Sequence, residues 1–471
     1  MNPLPAHPSI LLACLLACAP PLSAAAESID GSTLVEKYQA VFTAPPEKLP
    51  SVCSTDAPLL GNGDLLAAFG GPPDKLCFHI GKADLWELQT EGGPRPLARL
   101  HLELPALQGA SYRVTQDLRR ATTTGVFKQG GTSLTLEAAV AATSNTLWLK
   151  LSAQGGAFAG QARLVLPTAE AATTEAGVQV VERHFEKTML RPSGAACAMR
   201  VLGRQDDRIA VSPERPVYLV VTASGLANMV DYRADAIRRA AQATDESLAA
   251  LIPPHQQWWN EFWAKSFVEV SDKVLEQRYY LSNYCLASAS RLAHFPPALY
   301  GWVTDDEQQW GGAYFNNYNF IAPFYGLYAG NHLEQTAPCN DPILDFLASG
   351  REWCRKECNL NSGIVLPVSM LPLGITGAPT TWHQRSNAPL HCPEPLARQD
   401  YSRGAQRPGC RNPHRTTRLV PHHRRRNHHS IIKRVTFLQC LLSGPEQNRT
   451  VPVQNRTPPV QNRICLGKCL K

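Results

Sequence analysis

The hydrophobic period of this chain changes once, near Tyr232, and that single change limits what it can fold into. Before it, short segments alternate apolar and polar residues or are rich in β-branched ones. Residues 98–104 alternate strictly and stop at Pro105, and similar patterns recur at 133–140, 146–151, 162–166, 178–181 and 217–222. Short strands with one wet face, separated by Gly, Ser, Asp and Pro, predict antiparallel sheets and hence a sandwich. No strand–helix–strand rhythm is present, which excludes a doubly wound fold. After Tyr232 apolar residues recur at three-and-four spacing, predicting helices at 234–251, 255–267, 274–292, 318–328 and 341–358. Pro253-Pro254 is expected to stop the first of these, and Trp258, Phe262 and Trp263 fall on about one face of the second. Nine Trp and 38 Pro argue against a coiled coil or a wholly disordered chain.

Charge divides the chain a second time. Residues 389–471 hold 13 Arg and 3 Lys against 2 Glu and 1 Asp, a net of +13, so the rest carries −6. That tail has six of the 14 His, no Trp, and only Tyr401 and Phe437 as aromatics. So much like charge with so little to bury predicts a disordered basic tail. Arg424–Arg426 between paired histidines would suit a nucleic-acid or metal patch, but no helix-turn-helix, zinc-finger or RNA-binding signature accompanies it. Residues 445–463 repeat a Gln-Asn-Arg unit every seven residues, too short and polar to stack as a solenoid.

At the other end, residues 10–19 form an apolar run of about ten, too short for a membrane span but suited to a signal peptide. Ser23-Ala24-Ala25-Ala26 supplies small residues for cleavage before Glu27, although the n-region holds only His7 as a basic group. The expectation is a secreted or periplasmic protein; a rival reading takes Leu15–Cys18 as a lipoprotein box with Cys18 acylated. Seven cysteines lie between signal and tail, an odd and irregular set that is no disulfide scaffold. Cys354 and Cys358 sit one helical turn apart, but with no second pair or nearby His they read as buried thiols, and no metal or cofactor is expected.

Two motifs carry a family resemblance. Pro58-Leu59-Leu60-Gly61-Asn62-Gly63-Asp64, followed by Ile80-Gly81-Lys82-Ala83-Asp84-Leu85-Trp86, resembles the opening signature of glycoside hydrolase family 95 and its relatives. Trp310-Gly311-Gly312-Ala313-Tyr314-Phe315-Asn316-Asn317-Tyr318-Asn319 is similar to a segment of that family's catalytic barrel, and residues 381–387 match more weakly. The resemblance implies an N-terminal β-supersandwich followed by an (α/α)6 barrel, here incomplete. The implied division is signal peptide 1–26, sandwich 27–232, helical linker 233–270, partial barrel 271–388 and tail 389–471. It also implies an inverting, α-L-fucosidase-like hydrolysis of oligo- or polysaccharides, with Asn317 and Asn319 holding the attacking water. An amide can orient water by accepting its hydrogen bond but cannot take its proton, so a carboxylate must assist. The plainer reading makes the two Asn caps of the helix that starts near Tyr318.

Trp310, Tyr314, Trp382 and His383 are the candidate substrate contacts, with Trp302 and Tyr325 as further aromatics and Asp305, Asp306 and Glu307 as a nearby acidic cluster. Ala313 and Phe315 stand where the family carries Asp and His, so fucose is not implied. The family's general acid comes later, where this chain has only Glu394, Asp400 and Glu446 amid basic sequence. The loss of periodicity after Asn387 has the look of another reading frame. Carbohydrate is therefore the expected partner, and the alternative to an enzyme is a non-catalytic carbohydrate-binding or structural sandwich.

Overall fold

The computed structural model describes residues 31–376, apart from 90, 187–190, 228, 317 and 360. The signal segment, Asn317, Trp382, His383 and the basic tail thus lie outside the described residues.

Fifteen strands precede the main helical region: β1 (Gln39–Phe42), β2 (Leu59–Gly61), β3 (Leu65–Gly70), β4 (Lys75–Trp86), β5 (Pro94–Glu103), β6 (Ser111–Asp117), β7 (Thr122–Gln129), β8 (Thr132–Val140), β9 (Thr146–Gln154), β10 (Phe158–Val165), β11 (Thr173–Glu175), β12 (Val178–Phe185), β13 (Ser193–Val201), β14 (Arg208–Val211) and β15 (Val217–Gly225). They build two antiparallel sheets. One has nine strands in the order β1-β6-β7-β8-β9-β15-β13-β12-β11, the other six in the order β14-β10-β5-β4-β3-β2. The inner faces meet in one core, where Phe69, Phe78, Ile80, Leu100 and Leu102 of the smaller sheet join Leu134, Leu136, Leu149, Leu151 and Leu219 of the larger. Alternation explains this directly: β8 buries Leu134, Leu136 and Ala138 and leaves Ser133, Thr135 and Glu137 half-exposed. The two-residue turn between β7 and β8 needs Gly130, whose φ is +57°.

Strand β4 breaks the alternating rule. Every residue from Leu76 to Trp86 is buried, because its outer face is covered as well as its inner one.

The helices are α1 (Gly31–Val35), α2 (Tyr232–Ala241), α3 (Asp245–Ala249), α4 (Ile252–Ala264), α5 (Lys273–Ala289), α6 (Tyr318–Ile321), α7 (Tyr325–Ala329), α8 (Ala337–Asp345) and α9 (Leu347–Cys358). The expected helix at 234–251 is two helices. The first ends at Ala241, and Thr244 caps the second, its hydroxyl accepting from the Ser247 amide while Ser247 returns the bond. Pro253 and Pro254 do not stop a helix; they occupy the first turn of α4, where a missing N–H costs nothing. The expected helix at 318–328 is divided at a single tight turn, Ala322–Phe324, that contains Pro323. The one expected at 341–358 begins earlier, at Ala337, and bends between α8 and α9. Beyond residue 271 the described residues thus supply five helices, fewer than six hairpins require.

Strands and helices are not cleanly segregated in the packing. α2 lies on the outer face of the larger sheet, with Tyr232, Ala236 and Ala240 against Val178, Val180, Ala196 and Ala198. α1, α4 and α5 share a core with β2 and β3, in which Trp259, Phe262, Trp263, Tyr280 and Tyr284 pack on Leu59, Leu66 and Ala68. The inward residue is Trp259 rather than Trp258, which is only partly buried and carries the Arg291 guanidinium on its ring at 3.4 Å. A third core joins Trp86 of β4 to Phe295, Tyr314, Phe320, Phe324 and Phe346. Two short strands, β16 (Tyr314–Phe315) and β17 (Ser369–Met370), pair beside it. No described helix is long and apolar enough to cross a membrane.

Candidate functional site

The first motif folds into a buried charge cluster at the junction of sandwich and helices. Residues 62–64 turn the chain from β2 to β3, and the Asn62 side-chain oxygen Oδ1 accepts from the amides of Asp64 (3.0 Å) and Leu65 (2.8 Å). Its Nδ2 donates to the Ala141 and Ser144 carbonyls, each at 3.0 Å, which fixes the turn against the larger sheet. Gly63 can only be glycine: φ is +81°, and a Cβ there would lie 2.4 Å from Arg291. Its amide donates to the Ser288 carbonyl at the end of α5 (2.6 Å).

Lys82, whose side chain has no exposed surface, donates to Asp64 Oδ1 and to Asp84 Oδ1 (2.7 Å). Asn145 Nδ2 closes the ring on Asp64 Oδ2 (2.6 Å). Burial alone would lower the Lys82 pKa, but the two carboxylates outweigh it and hold the ammonium above its ordinary value. Burial raises the carboxyl of Asp84 against the pull of Lys82. Gly225 makes room for that carboxylate, since a Cβ there would meet Asp84 Oδ2 at 2.4 Å. This part of the resemblance is architectural: it locks the sandwich onto the end of α5.

The second motif runs along a different wall. Trp310, Gly311 and Gly312 all have positive φ, at +55°, +66° and +64°. A bulky residue rarely adopts that conformation, and here it leaves the Trp310 ring 60% exposed, 5.5 Å from the Phe315 ring. The chain then enters β16, and just beyond it Asn316 donates its backbone N–H to the Val368 carbonyl (2.8 Å) and its side-chain Nδ2 to the Pro367 carbonyl (3.1 Å). Tyr314 is buried edge-on against Trp86, its hydroxyl donating to the Pro296 carbonyl (3.1 Å); burial raises its pKa well above the ordinary value.

A cavity of about 70 Å³ opens here, walled by Leu299, Ala313, Tyr314, Phe315, Asn319, Phe320 and neighbouring apolar residues. Asn319, on α6, is half-buried and lines it. A smaller cavity of about 10 Å³ lies alongside, shares Pro297, Ala298 and Gly301 with the first, and reaches Lys82 and Trp86. The structure therefore brings Asn319, Tyr314 and, through Phe315, Trp310 to one place.

Other candidates are occupied elsewhere. Trp302 is 2% exposed; its ring lines the cavity, but its indole N–H donates to the Leu60 carbonyl (2.8 Å), tying it to the core. Tyr325 is exposed and is not among the cavity-lining residues. Asp306 accepts from Arg183 (2.6 Å) across to the sandwich, and Asp305 accepts from the Glu307 amide (2.9 Å). No carboxylate lines either cavity among the described residues, and no group of three His, Cys, Asp or Glu among them is placed to hold a metal ion. Cys354 is buried, with its thiol donating to the Ser362 carbonyl (3.4 Å). The Lys82 cluster carried no assigned role in the sequence, where its signal is a Lys-Ala-Asp step at 82–84 and an aspartate 18 residues earlier.

An antiparallel sandwich joined to a helical segment is thus the class of protein that fold and cavity define. No protein-family model matches the chain, and no curated protein matches it. Among solved structures it is similar to a protein assigned as a kojibiose phosphorylase from the human microbiome, at 14% identity and a TM-score of 0.47, covering 73% of this chain and 51% of that one. A bacterial glucoamylase complexed with acarbose matches at 9% identity and a TM-score of 0.40, over 72% of this chain and 56% of the other. A family GH92 α-mannosidase from Bacteroides thetaiotaomicron matches at 7% and 0.24, over 49% and 38%. The chain spans about half the length of the first two. None of these TM-scores exceeds 0.47, so the functional reading rests on the residues and their geometry.

Proposed function

We propose that this chain is an exported carbohydrate-active protein of the glycoside hydrolase type, built as a β-sandwich and the opening helices of an (α/α)6 barrel. The observation that carries this reading is the cavity at the sandwich–helix junction lined by Tyr314, Phe315 and Asn319, with the exposed Trp310 ring 5.5 Å from that of Phe315. An exposed indole offers its face to the C–H face of a pyranose, and a neighbouring amide offers both a donor and an acceptor to hydroxyls or to water. In the hydrolytic form of the reading, Asn319 with Asn317 orients a water for inverting attack at an anomeric carbon.

Among the described residues no carboxylate lines the cavity. The second reading is a carbohydrate-binding protein without turnover, in which the aromatic wall binds the sugar. Incubating the full chain with aryl α-fucosides, galactosides and glucosides separates the two. Release of the aryl alcohol that falls at least about a hundredfold in Asn317→Ala and Asn319→Ala supports the enzyme. Sugar binding with no release supports the binder, and neither binding nor release overturns both.

A further inference from the structure

We propose that the outer face of the smaller sheet, at Arg99 and His101, is a binding site for an oxyanion, a carboxylate or sulfate group. Neither residue lines the cavities described above, and the site does not depend on the carbohydrate reading. Strand register builds it. β4 and β5 pair with His79 opposite Arg99 and Cys77 opposite His101, and β10 sets Arg163 opposite His101. Directly opposed residues share a face and stand about 5 Å apart. Phe78, Ile80, Leu100 and Leu102 occupy the inner face, so these alternate positions all face outward. Two arginines and two imidazoles thus meet on one patch. Glu103, two residues beyond His101, already accepts from Arg163, and Lys75 stands opposite it.

Positive charge is left over on this patch. Arg95 and Arg183, half-buried like Arg99, are met by Glu87 (2.5 Å) and Asp306 (2.6 Å). Arg99 has no such partner among the described residues, and its Nε is shut off from solvent with no acceptor. The His79 ring, 7% exposed, has an equally orphaned Nδ1. Buried polar atoms without partners are costly, and an unpaired guanidinium more so. An oxyanion answers both, because its oxygens accept several N–H bonds at once and its charge opposes that of the planar guanidinium fork.

The neighbouring imidazoles register the excess. Burial first, then Arg99, lowers the pKa of His79, to about 3, and that of His101; at His101 Glu103 opposes the shift and Arg163 adds to it. Burial pushes the Cys77 thiol opposite His101 up to about 12, so it brings no charge. An anion on Arg99 offsets the cation that disfavours a proton on His101. Binding therefore takes up a proton and tightens as pH falls.

Calorimetric titration of the full chain with sodium sulfate, galacturonate and galactose, at an ionic strength held constant with chloride, tests this. Expected is binding of sulfate, galacturonate or both, weakened at least about tenfold in Arg99→Ala and Arg99→Gln. That binding should be tighter at about pH 5.5 than at about pH 8, and His101→Gln should remove most of the difference. Sulfate binding assigns the site to a free inorganic anion. Galacturonate binding that the Arg99 variants abolish, with galactose unaffected by them, assigns it to the charged group of an acidic sugar. Binding of neither anion, an affinity that both Arg99 variants leave unchanged, or no tightening at lower pH overturns the proposal and leaves the carbohydrate reading as it stands.

Discussion

A lysine without exposed surface persists only where its charge is met, and Lys82 is met twice, by Asp64 and Asp84. Removing it leaves two carboxylates confined together, so Lys82→Met should destabilise the fold by about 3–5 kcal/mol, measured by urea denaturation. Adding Asp64→Asn and Asp84→Asn to that variant should restore much of the loss, because the uncompensated charge is then gone. A triple variant no more stable than Lys82→Met contradicts the electrostatic account. The same scale governs acid stability. His79 is buried beside Arg99 and His101, and burial first, then those neighbours, lowers its pKa to about 3. Below pH 6.5 the unfolded chain takes up a proton that folded His79 refuses until about pH 3, so stability falls as pH drops through that window. The loss is at most about 1.4 kcal/mol per pH unit from this group. His79→Gln should flatten that part of a stability–pH curve, and an unchanged slope contradicts it. Little of this was legible in the sequence, since burial of Lys82 and His79 depends on what covers the outer face of β4.

Elements were legible wherever one face is wet. β5, β8 and β9 show their alternation in the sequence and lie where that alternation predicts. β4 does not show it, because both faces are covered and its residues run Leu-Cys-Phe-His-Ile-Gly-Lys-Ala-Asp-Leu-Trp without a polar stripe. Helix existence was legible and helix ends were not, because capping by Thr244 and the placement of Pro253, Pro254 and Pro323 depend on local bonds that apolar periodicity ignores. α4 is the element on which the helical region depends. Trp259 is fully buried and stacks on Trp263 (6.1 Å between ring centres) and Tyr284 (5.3 Å). Trp259→Ala should therefore cost about 3–5 kcal/mol, whereas Trp258→Ala, at a partly buried position, should cost less. Thermal unfolding of the two variants checks the order, and equal losses would contradict the assignment of faces.

At the scale of the molecule, the order of sandwich then helices was legible from one change of period, but the placing of the site was not. Asn319 and Phe315 line one cavity, the left-handed turn at Trp310–Gly312 sets Trp310 beside Phe315, and β16 pairs with β17, which joins residues more than 50 positions apart. No local pattern encodes that pairing. The two motifs also divide their labour in a way the sequence did not show: the first holds sandwich to helices, the second walls the cavity. The central claim is that this wall meets a sugar. Saturation-transfer NMR on the full chain with a mixture of mono- and oligosaccharides tests it most directly. Expected is transfer from protein to the ring C–H protons of at least one sugar, lost in Trp310→Ala; transfer to none, or transfer undiminished in that variant, contradicts it.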